Sequence, residues 1–227
     1  MAQRSLKPFY LSIAGLAVVG ALAMFAMSRR SVPTVTMPTG PVPVGADSVP
    51  PAAYIMGSDT APVVVDDWSD FECPFCAQLA VLIEPDVKQR LIAEGLVQWR
   101  FHDFPLSGHR DSPTAHLAAA CAADQDKFWP MHDLIYYNQG EWTGGDVPGH
   151  MEDYARQAGL DVGAWRKCME DQTPLTRIAQ SVEQGKALGI TGTPTLFLNG
   201  RLLDMQRLSY DRLAAAIRDA AANRPRR

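Results

Sequence analysis

The sequence predicts an α/β domain in which a mixed central sheet is flanked by helices. Early in the chain, the apolar pattern Val63–Val65, typical of a buried strand, leads into a Cys-x-x-Cys and then into a helical pattern. Late in the chain, Thr195–Leu198 predicts a short strand, followed by Asn199-Gly200, a dipeptide typical of tight hairpin turns. Parallel pairing early and hairpin pairing late would give a sheet of mixed direction.

Composition limits the class of protein. The chain has 227 residues, enough for one domain and an appendage, and it is 47% hydrophobic and 20% charged, as in ordinary globular proteins. The net charge of −4 gives no electrostatic reason to expect a nucleic-acid partner. Residues 223–227, which include Arg224, Arg226 and Arg227, form a short basic tail, which we interpret as a solvated end.

The N-terminal segment contains an uncharged apolar run, Pro8–Met27. At ~1.5 Å per residue, a helix of this length matches a ~30 Å hydrocarbon core, so residues 1–30 are predicted to be a membrane anchor. The alternative is a secretory signal, uncleaved or cleaved near Ala21–Ala23, although signals have shorter apolar regions of about 7–15 residues. Basic residues flank both ends of the run and leave its orientation open.

A Pro-rich linker is predicted at residues 31–53. Pro-rich segments are extended, at about 3.1 Å per residue, so we expect a semi-stiff stalk that holds a globular domain off the bilayer. A disordered connector would give the same architecture. The globular domain is predicted at residues 54–222.

The Cys73-Pro74-Phe75-Cys76 segment lies where a strand passes into a helix. The free N–H groups and the dipole of a helix N-terminus favour an anion, so they should lower the pKa of Cys73. Pro74 suits the first helical turn, where its missing N–H costs nothing. We therefore expect Cys73 to be the attacking sulfur and Cys76, one turn further in, to be the resolving one.

The elements that follow complete a strand–helix–strand unit. The helix should break at Pro85, with a second piece at Asp86–Glu94, before a strand at Leu96–Phe101. Such a unit has parallel strands.

A helical insertion is predicted at about residues 105–188, where a helix capped by Ser112 comes first and a glycine-rich loop, Gly140–Gly149, lies in the middle. The final helix should be capped by Ser209 or Asp211. The other predicted elements are helices at Lys127–Gln139, Met151–Gln157, Val162–Glu170, Leu175–Leu188 and Ser209–Ala222, and a returning strand at Arg201–Leu203.

The remaining two cysteines, Cys121 and Cys168, both lie in predicted helices of the insertion. Four cysteines allow three pairings, and the close spacing of Cys73 and Cys76 leaves the other two to each other. We expect a structural disulfide worth about 2–4 kcal/mol. The alternative is a second redox relay, which would need an accessible and labile bond.

Together these motifs carry a family likeness. The Cys-Pro-Phe-Cys, Asp67 upstream and Gly192–Thr195 downstream resemble the thioredoxin superfamily. The helical insertion and the segment Phe128–His132 resemble the DsbA-like thiol:disulfide oxidoreductases, in particular the membrane-tethered ones. The resemblance covers about residues 54–222 and implies a thioredoxin fold with an inserted helical domain.

The resemblance also implies roles for particular residues. Cys73 and Cys76 match the active pair, and Pro194 matches the family's cis-proline beside it. The backbone of Thr193 would pair with an extended substrate segment, and Pro74 and Phe75 complete the predicted substrate-binding set.

A buried acid beneath the second cysteine is a further implication of the resemblance, and Asp67 matches it. A carboxyl group there would have a raised pKa and could move a proton to or from Cys76. Asp66 is the competing candidate, and strand alternation puts the two acids on opposite faces.

These implications favour an extracytoplasmic enzyme that introduces disulfides into exported proteins, without a cofactor and as a monomer. The expected partners are reduced or unfolded exported proteins and, by resemblance, a quinone-linked reoxidase in the membrane. An extracytoplasmic reductase or isomerase is the alternative, because Phe75 stands where strong oxidants of this family often carry His.

Two metal-binding functions are more distant alternatives. A Cu(I)-binding module could use the two thiols, although strand pairing with a peptide has no use in copper transfer. A zinc site needs about four ligands, and the five histidines and the remaining cysteines offer no second close pair. We therefore predict no metal.

Overall fold

The computed structural model describes residues 15, 18, 19, 35–38, 53–206 and 208–223. The backbone divides into two compact units, residues 1–32 and 33–227. The predicted anchor, most of the predicted linker and most of the basic tail lie outside the described residues. Of the helices formed by described residues, none is both long and apolar enough to cross a bilayer.

A five-stranded sheet forms the centre of the domain, in the order β1-β3-β2-β4-β5. Strands β2 and β3 are parallel, as the strand–helix–strand unit predicts, and the other three pairings are antiparallel. The predicted mixed sheet is therefore confirmed. The strands are β1 (Tyr54–Met56), β2 (Val63–Ser69), β3 (Val97–Asp103), β4 (Thr195–Leu198) and β5 (Arg201–Leu202).

Nine α-helices are assigned among the described residues of this unit, and six of them lie between β3 and β4. A π-helical turn, Lys88–Ile92, follows the second helix. The α-helices are α1 (Pro74–Leu82), α2 (Glu84–Val87), α3 (Ser112–Ala123), α4 (Phe128–Tyr137), α5 (Gln139–Trp142), α6 (Val147–Gln157), α7 (Val162–Asp171), α8 (Leu175–Ala187) and α9 (Tyr210–Ala222).

Sequence reasoning missed strand β1, which pairs antiparallel with β3 so that Tyr54 lies opposite Phe101. The strand has only three residues, and its middle residue, Ile55, is exposed. A short edge strand carries too little alternation to be recognised from its pattern.

Two helix boundaries also differ from the prediction. The break before Pro85 is present, but α2 begins at Glu84, because proline fits the first turn of a new helix. The region predicted as a loop at Gly140–Gly149 instead contains most of α5 and the start of α6. The Asp146 carboxylate accepts a hydrogen bond from the Gly149 N–H at 3.2 Å and caps α6.

The main core lies on one face of the sheet, between the sheet and helices α1, α2 and α9. Val65 and Trp99 of the sheet pack there with Leu91, Leu213 and Ile217, all of them buried. This packing holds β2 against α1, and the Cys-x-x-Cys lies between the end of that strand and the start of that helix.

Part of the predicted linker is described, and it packs on the domain. Val35–Pro38 lies along a groove of about 980 Å³ that Phe104, Leu106 and Ile190 also line. The Val35 side chain is buried. This short piece therefore does not stand free as the stalk prediction implied.

Candidate active site

Cys73 occupies the N-cap position of α1, with Pro74 in the first turn. Its carbonyl accepts the first helical hydrogen bond, from the Ala77 N–H at 3.1 Å. Phe75 is 64% exposed, whereas Cys73 and Cys76 are buried, and both are free thiols. The strand-to-helix junction thus presents the dithiol in its reduced form beside an exposed aromatic ring.

The thiolate of Cys73 is strongly stabilised. A hydrogen bond from the Cys76 thiol is the largest cause, and it lowers the pKa of Cys73 to about 5 against the opposing effect of burial. The Thr193 hydroxyl and the backbone N–H groups of Phe75 and Cys76 lower it further. The predicted helix N-terminus effect is therefore one part of a larger set of donors.

Cys76 has the opposite protonation preference. Burial raises its pKa well above the ordinary value, and the neighbouring Cys73 and Asp67 charges raise it further. One donor opposes this, because the Asp70 N–H lies 3.4 Å from the Cys76 sulfur. Near neutral pH, Cys73 is a thiolate and Cys76 a thiol.

Asp67 is a buried carboxyl group near the end of β2, 1% exposed. Burial raises its pKa to about 7, although the Ser69 hydroxyl donates a hydrogen bond to it at 2.5 Å. Its protonation therefore changes near neutral pH, in the range useful for exchanging a proton with a thiol.

Asp66, the competing candidate, lies on the other face of β2 and is 23% exposed. It lies 2.9 Å from the His102 Nε2 atom and 4.0 Å from Arg100. These partners and its exposure separate Asp66 from the cysteine pair, as strand alternation predicts.

The peptide bond between Thr193 and Pro194 is cis. The Cys73 sulfur lies 3.3 Å from the Thr193 carbonyl, so the segment before β4 lies directly against the dithiol. A groove of about 650 Å³ runs beside it and is lined by Phe75, Thr193 and Pro194. The groove's apolar lining also includes Leu79, Leu82, Ile83, Met205, Leu208 and Tyr210, whereas Pro74 does not line it.

Asp70, which sequence reasoning missed, ties the active-site segment to the helical insertion. Its fully buried carboxylate accepts hydrogen bonds from the backbone N–H groups of Glu72 and Leu106, from the Ser112 hydroxyl at 2.5 Å and from His109 at 2.7 Å. Burial alone would lower the pKa of His109, but the hydrogen bond and charge of Asp70 raise it above its ordinary value.

The cap of α3 also comes from this segment, which corrects the predicted Ser112 cap. The Glu72 carboxylate accepts hydrogen bonds from the N–H groups of Asp111 and Ser112, both at 2.8 Å. The Ser112 hydroxyl is engaged by Asp70 and makes no cap bond. Gln139 adds a further tie, because its side-chain amide donates to the carbonyls of Phe71 and Cys73.

A second missed cluster lies at the start of α2 and in α4. Glu84, His132 and Asp133 are the one group of three potential metal ligands found among the described residues. Lys88, however, places its ammonium group 2.8 Å from Asp133 and 3.8 Å from Glu84. A cation of the protein already neutralises this cluster, so the donor set does not suit a metal ion.

The other two cysteines form a disulfide, with an S–S distance of 2.04 Å. Cys121 lies in α3 and Cys168 in α7, so the bond joins two helices of the insertion.

Comparison with known proteins places the chain in a family. A family model described as thioredoxin matches residues 50–219. The chain belongs to the thioredoxin family. Two relatives called "Probable disulfide bond formation protein D" are 31% identical (Bacillus cereus) and 30% identical (Bacillus anthracis). These matches cover 65% and 71% of this chain and 70% and 75% of those relatives.

Another relative of this thioredoxin-family chain is much longer. "Na(+)/H(+) antiporter NhaA 1" of Salinispora arenicola is 36% identical over 67% of this chain. The match covers 22% of that protein, so the chain spans about a fifth of its length.

Solved structures show the same thioredoxin-family fold. Oxidised BdbD from Bacillus subtilis matches with a TM-score of 0.68 and 22% identity, over 76% of this chain and 94% of that chain. The α-DsbA1 protein of Wolbachia pipientis matches with a TM-score of 0.65 and 18% identity, over 76% and 92%. The predicted resemblance to DsbA-like thiol:disulfide oxidoreductases is confirmed.

Proposed function

We propose that this protein is a thiol:disulfide oxidoreductase that introduces disulfides into exported proteins through Cys73 and Cys76. A substrate thiolate attacks the Cys73 sulfur of the oxidised pair, and the Cys73–Cys76 bond breaks as a mixed disulfide forms. Cys76 leaves as a thiolate and takes a proton from the Asp67 carboxyl group.

The second step releases the product. A second thiolate of the substrate attacks the substrate sulfur that is bonded to Cys73. A disulfide forms within the substrate, and Cys73 leaves as a thiolate. The substrate has then lost two electrons and gained a disulfide, and the enzyme holds the Cys73 thiolate and the Cys76 thiol. Exchange with an oxidised partner restores the starting state.

The observation that carries this proposal is the opposite displacement of the two cysteine pKa values. A Cys73 pKa of about 5 makes this sulfur a good leaving group and stabilises the reduced enzyme. A stabilised reduced form makes the disulfide a stronger oxidant. The low pKa of Cys73 therefore favours donation of the disulfide to a substrate.

The groove beside the dithiol supports a protein substrate. Phe75 is exposed at its rim, and Thr193 and Pro194 line it next to the Cys73 sulfur. An extended peptide that paired with the Thr193 backbone would bring its own sulfur within reach of Cys73. Apolar lining suits the side chains that an unfolded protein exposes.

We place the domain outside the cytoplasm, as a monomer, with a quinone-linked membrane protein as its reoxidant. The likeness to disulfide bond formation protein D and the disulfide between Cys121 and Cys168 support this placement, because such bonds persist in oxidising compartments. The predicted N-terminal anchor would hold the enzyme near a membrane partner.

A weaker oxidant, or a reductase, is the second candidate. Its support is Phe75, which is 64% exposed and brings no charged or hydrogen-bonding side chain to Cys73. The side-chain hydrogen bonds that stabilise the thiolate come from Cys76 and Thr193.

The proposal is tested by mixing the oxidised protein with reduced, unfolded ribonuclease A and following the loss of free thiols. We expect the protein to oxidise ribonuclease stoichiometrically and much faster than glutathione disulfide does. In the Cys76→Ala variant, with Cys73 first converted to a mixed disulfide with a small aromatic thiol, we expect ribonuclease to displace that thiol and remain bound to Cys73 as a stable mixed disulfide. Oxidation no faster than with glutathione disulfide, together with rapid reduction of insulin by the reduced protein, would contradict the proposed direction. Tight stoichiometric Cu(I) binding without oxidation of ribonuclease would favour the copper alternative.

A further inference from the structure

Glu84 is a buried carboxyl group that the exchange chemistry described above does not use. It is 1% exposed and lies at the start of α2, directly after the helix that carries Cys76. Its Oε2 atom and the Nε2 atom of His132 have no hydrogen-bond partner in the part of the chain that the structure describes. These two atoms belong to side chains that face each other, because the Glu84 Oε1 atom lies 3.9 Å from the His132 Nε2 atom.

From His132 the cluster continues to the surface. The His132 Nδ1 atom lies 2.9 Å from an Asp133 oxygen, which gives the ring one acid at each nitrogen. The Asp133 side chain is 38% exposed and also binds the Lys88 ammonium group at 2.8 Å. His132 itself is fully buried. The three residues thus connect a buried carboxyl group with solvent.

Toward the dithiol, the charge of Asp67 acts on Glu84. Burial is the main cause that raises the pKa of Glu84 to about 8, and the charge of Asp67 raises it further. Lys88 lowers it and Asp133 raises it, so the charged groups that act on Glu84 lie on β2, the π-helical turn and α4. The Asp67 charge in turn raises the pKa of Cys76.

Stability alone does not explain an acid at this position. Lys88 binds Asp133 at 2.8 Å and lies 3.8 Å from the Glu84 Oε2 atom, which has no hydrogen-bond partner among the described residues. A buried carboxyl group compensated only at that distance costs free energy. Buried acids with displaced pKa values concentrate at functional sites.

We propose that Glu84, His132 and Asp133 form the route by which the proton exchanged between Asp67 and Cys76 reaches solvent. When a substrate reduces the enzyme, Cys76 takes a proton from Asp67, and Asp67 recovers one from Glu84. Glu84 then takes the proton of the His132 Nε2 atom, while the Nδ1 atom receives one from solvent through Asp133. Reoxidation runs the same steps outward.

These proton transfers balance over a full catalytic cycle. One proton enters when the dithiol forms and one leaves when the disulfide is restored. The inward transfer leaves the His132 proton on Nδ1 and the outward transfer returns it to Nε2, so the ring needs no rotation.

The distance between Glu84 and His132 allows proton transfer after a small movement. The 3.9 Å gap between Glu84 and His132 is about 1 Å longer than a hydrogen bond. A small rotation of the Glu84 side chain closes it, and catalytic hydrogen bonds often tighten only during the reaction. Burial lowers the pKa of His132, which keeps the ring neutral and able to accept a proton.

The proposal rests on the role proposed above for Asp67, and the test separates the two. The attack of Cys76 on a mixed disulfide between Cys73 and a glutathione thiol is followed by stopped flow from pH 6 to 9. The variants are Glu84→Gln, His132→Gln and Asp67→Asn. Glu94→Gln is the matched control, because Glu94 is exposed and its one ion pair within the described part of the chain is with Arg218 on the surface. The attack of Cys73 on glutathione disulfide is measured in every variant as the internal reference.

We expect Glu84→Gln and His132→Gln to slow the Cys76 step at least roughly tenfold at pH 8 and to flatten its pH profile. The Cys73 step and the Glu94→Gln control should stay within about twofold of the unsubstituted protein. A merely structural role would alter both cysteine steps or neither.

Three outcomes would overturn the proposal. If Asp67→Asn slows the Cys76 step and Glu84→Gln does not, the route fails while the role of Asp67 stands. If Asp67→Asn has no effect, the role of Asp67 fails, and the route fails with it. If Glu84→Gln slows the Cys76 step but His132→Gln does not, the exit through His132 is refuted.

Discussion

The Thr193 carbonyl lies 3.3 Å from the Cys73 sulfur, and the Thr193 hydroxyl is buried with no hydrogen-bond partner among the described residues. This hydroxyl is free to donate to the Cys73 thiolate, and it contributes to the low pKa of Cys73. The residue before the cis-proline therefore both lines the groove beside the dithiol and stabilises the Cys73 thiolate.

Thr193→Val should raise the pKa of Cys73 from about 5 to roughly 6, because a donor to the thiolate is lost while shape is kept. Thiolate absorbance at 240 nm, followed against pH, measures this change. Thr191→Val, at an exposed position two residues earlier, is the control and should leave the titration midpoint unchanged. An unchanged midpoint in Thr193→Val would remove Thr193 from the account of thiolate stabilisation.

The buried acids should make stability depend on pH. Burial raises the pKa of Asp67 to about 7 and of Glu84 to about 8, so the folded state binds these protons more tightly than the unfolded chain. Their stabilising contribution is complete below the unfolded pKa values near 4 and is lost as pH rises through 7 to 8. The free energy of unfolding should therefore fall between pH 5 and 9.

Glu84→Gln should remove part of that fall, roughly 2–4 kcal/mol between pH 5 and 9, as measured by urea unfolding. The exposed Glu94→Gln control should follow the unsubstituted protein. If the unfolding free energies of Glu84→Gln and of the unsubstituted protein fall in parallel with pH, Glu84 is already ionised in the folded state at neutral pH. That result would contradict the expectation that burial raises its pKa.

The disulfide between Cys121 and Cys168 should stabilise the helical insertion without taking part in exchange. Its closing residues are 47 positions apart, so replacing both by Ala should lower the free energy of unfolding by about 4 kcal/mol in the chain-entropy model. Urea unfolding measures the loss. The rates of both exchange steps at Cys73 and Cys76 should be unchanged, and slower exchange in the double variant would instead support a redox relay.

The Glu72 cap offers a test of how the insertion is attached. Glu72→Ala leaves the N–H groups of Asp111 and Ser112 without their acceptor, so it should cost about 1–2 kcal/mol of unfolding free energy. Glu94→Ala, which removes a surface ion pair, should cost less than about 1 kcal/mol. Equal losses in the two variants would show that Glu72 does not act as a cap.

Features set by neighbouring residues could be predicted from the sequence. The strand, the Cys-x-x-Cys and the helix form one continuous segment, so their order predicts the junction that places Cys73 at a helix N-terminus. The Asn199-Gly200 turn is equally local, and both residues have the positive φ angles that such turns require.

Features that depend on distant segments could not be predicted. Ser112 has the chemistry of a cap, but Glu72, forty residues earlier, takes that role because the fold brings its carboxylate to the helix end. His132 shows only helical packing in its pattern, and its contact with Glu84 arises where two separate helices meet. Strand alternation, by contrast, separates Asp66 from Asp67 correctly, because it is a property of consecutive residues.

The reduction potential of the Cys73–Cys76 pair, measured by equilibrating the protein with glutathione, tests the central claim most directly. Thioredoxin, with a cysteine pKa near 7, has a potential of roughly −270 mV, and each tenfold stabilisation of the reduced form adds about 30 mV. With Cys73 at a pKa of about 5, we predict a value between roughly −220 and −120 mV, which makes the protein a disulfide donor. A value near roughly −270 mV would make it a reductase and contradict the proposed direction.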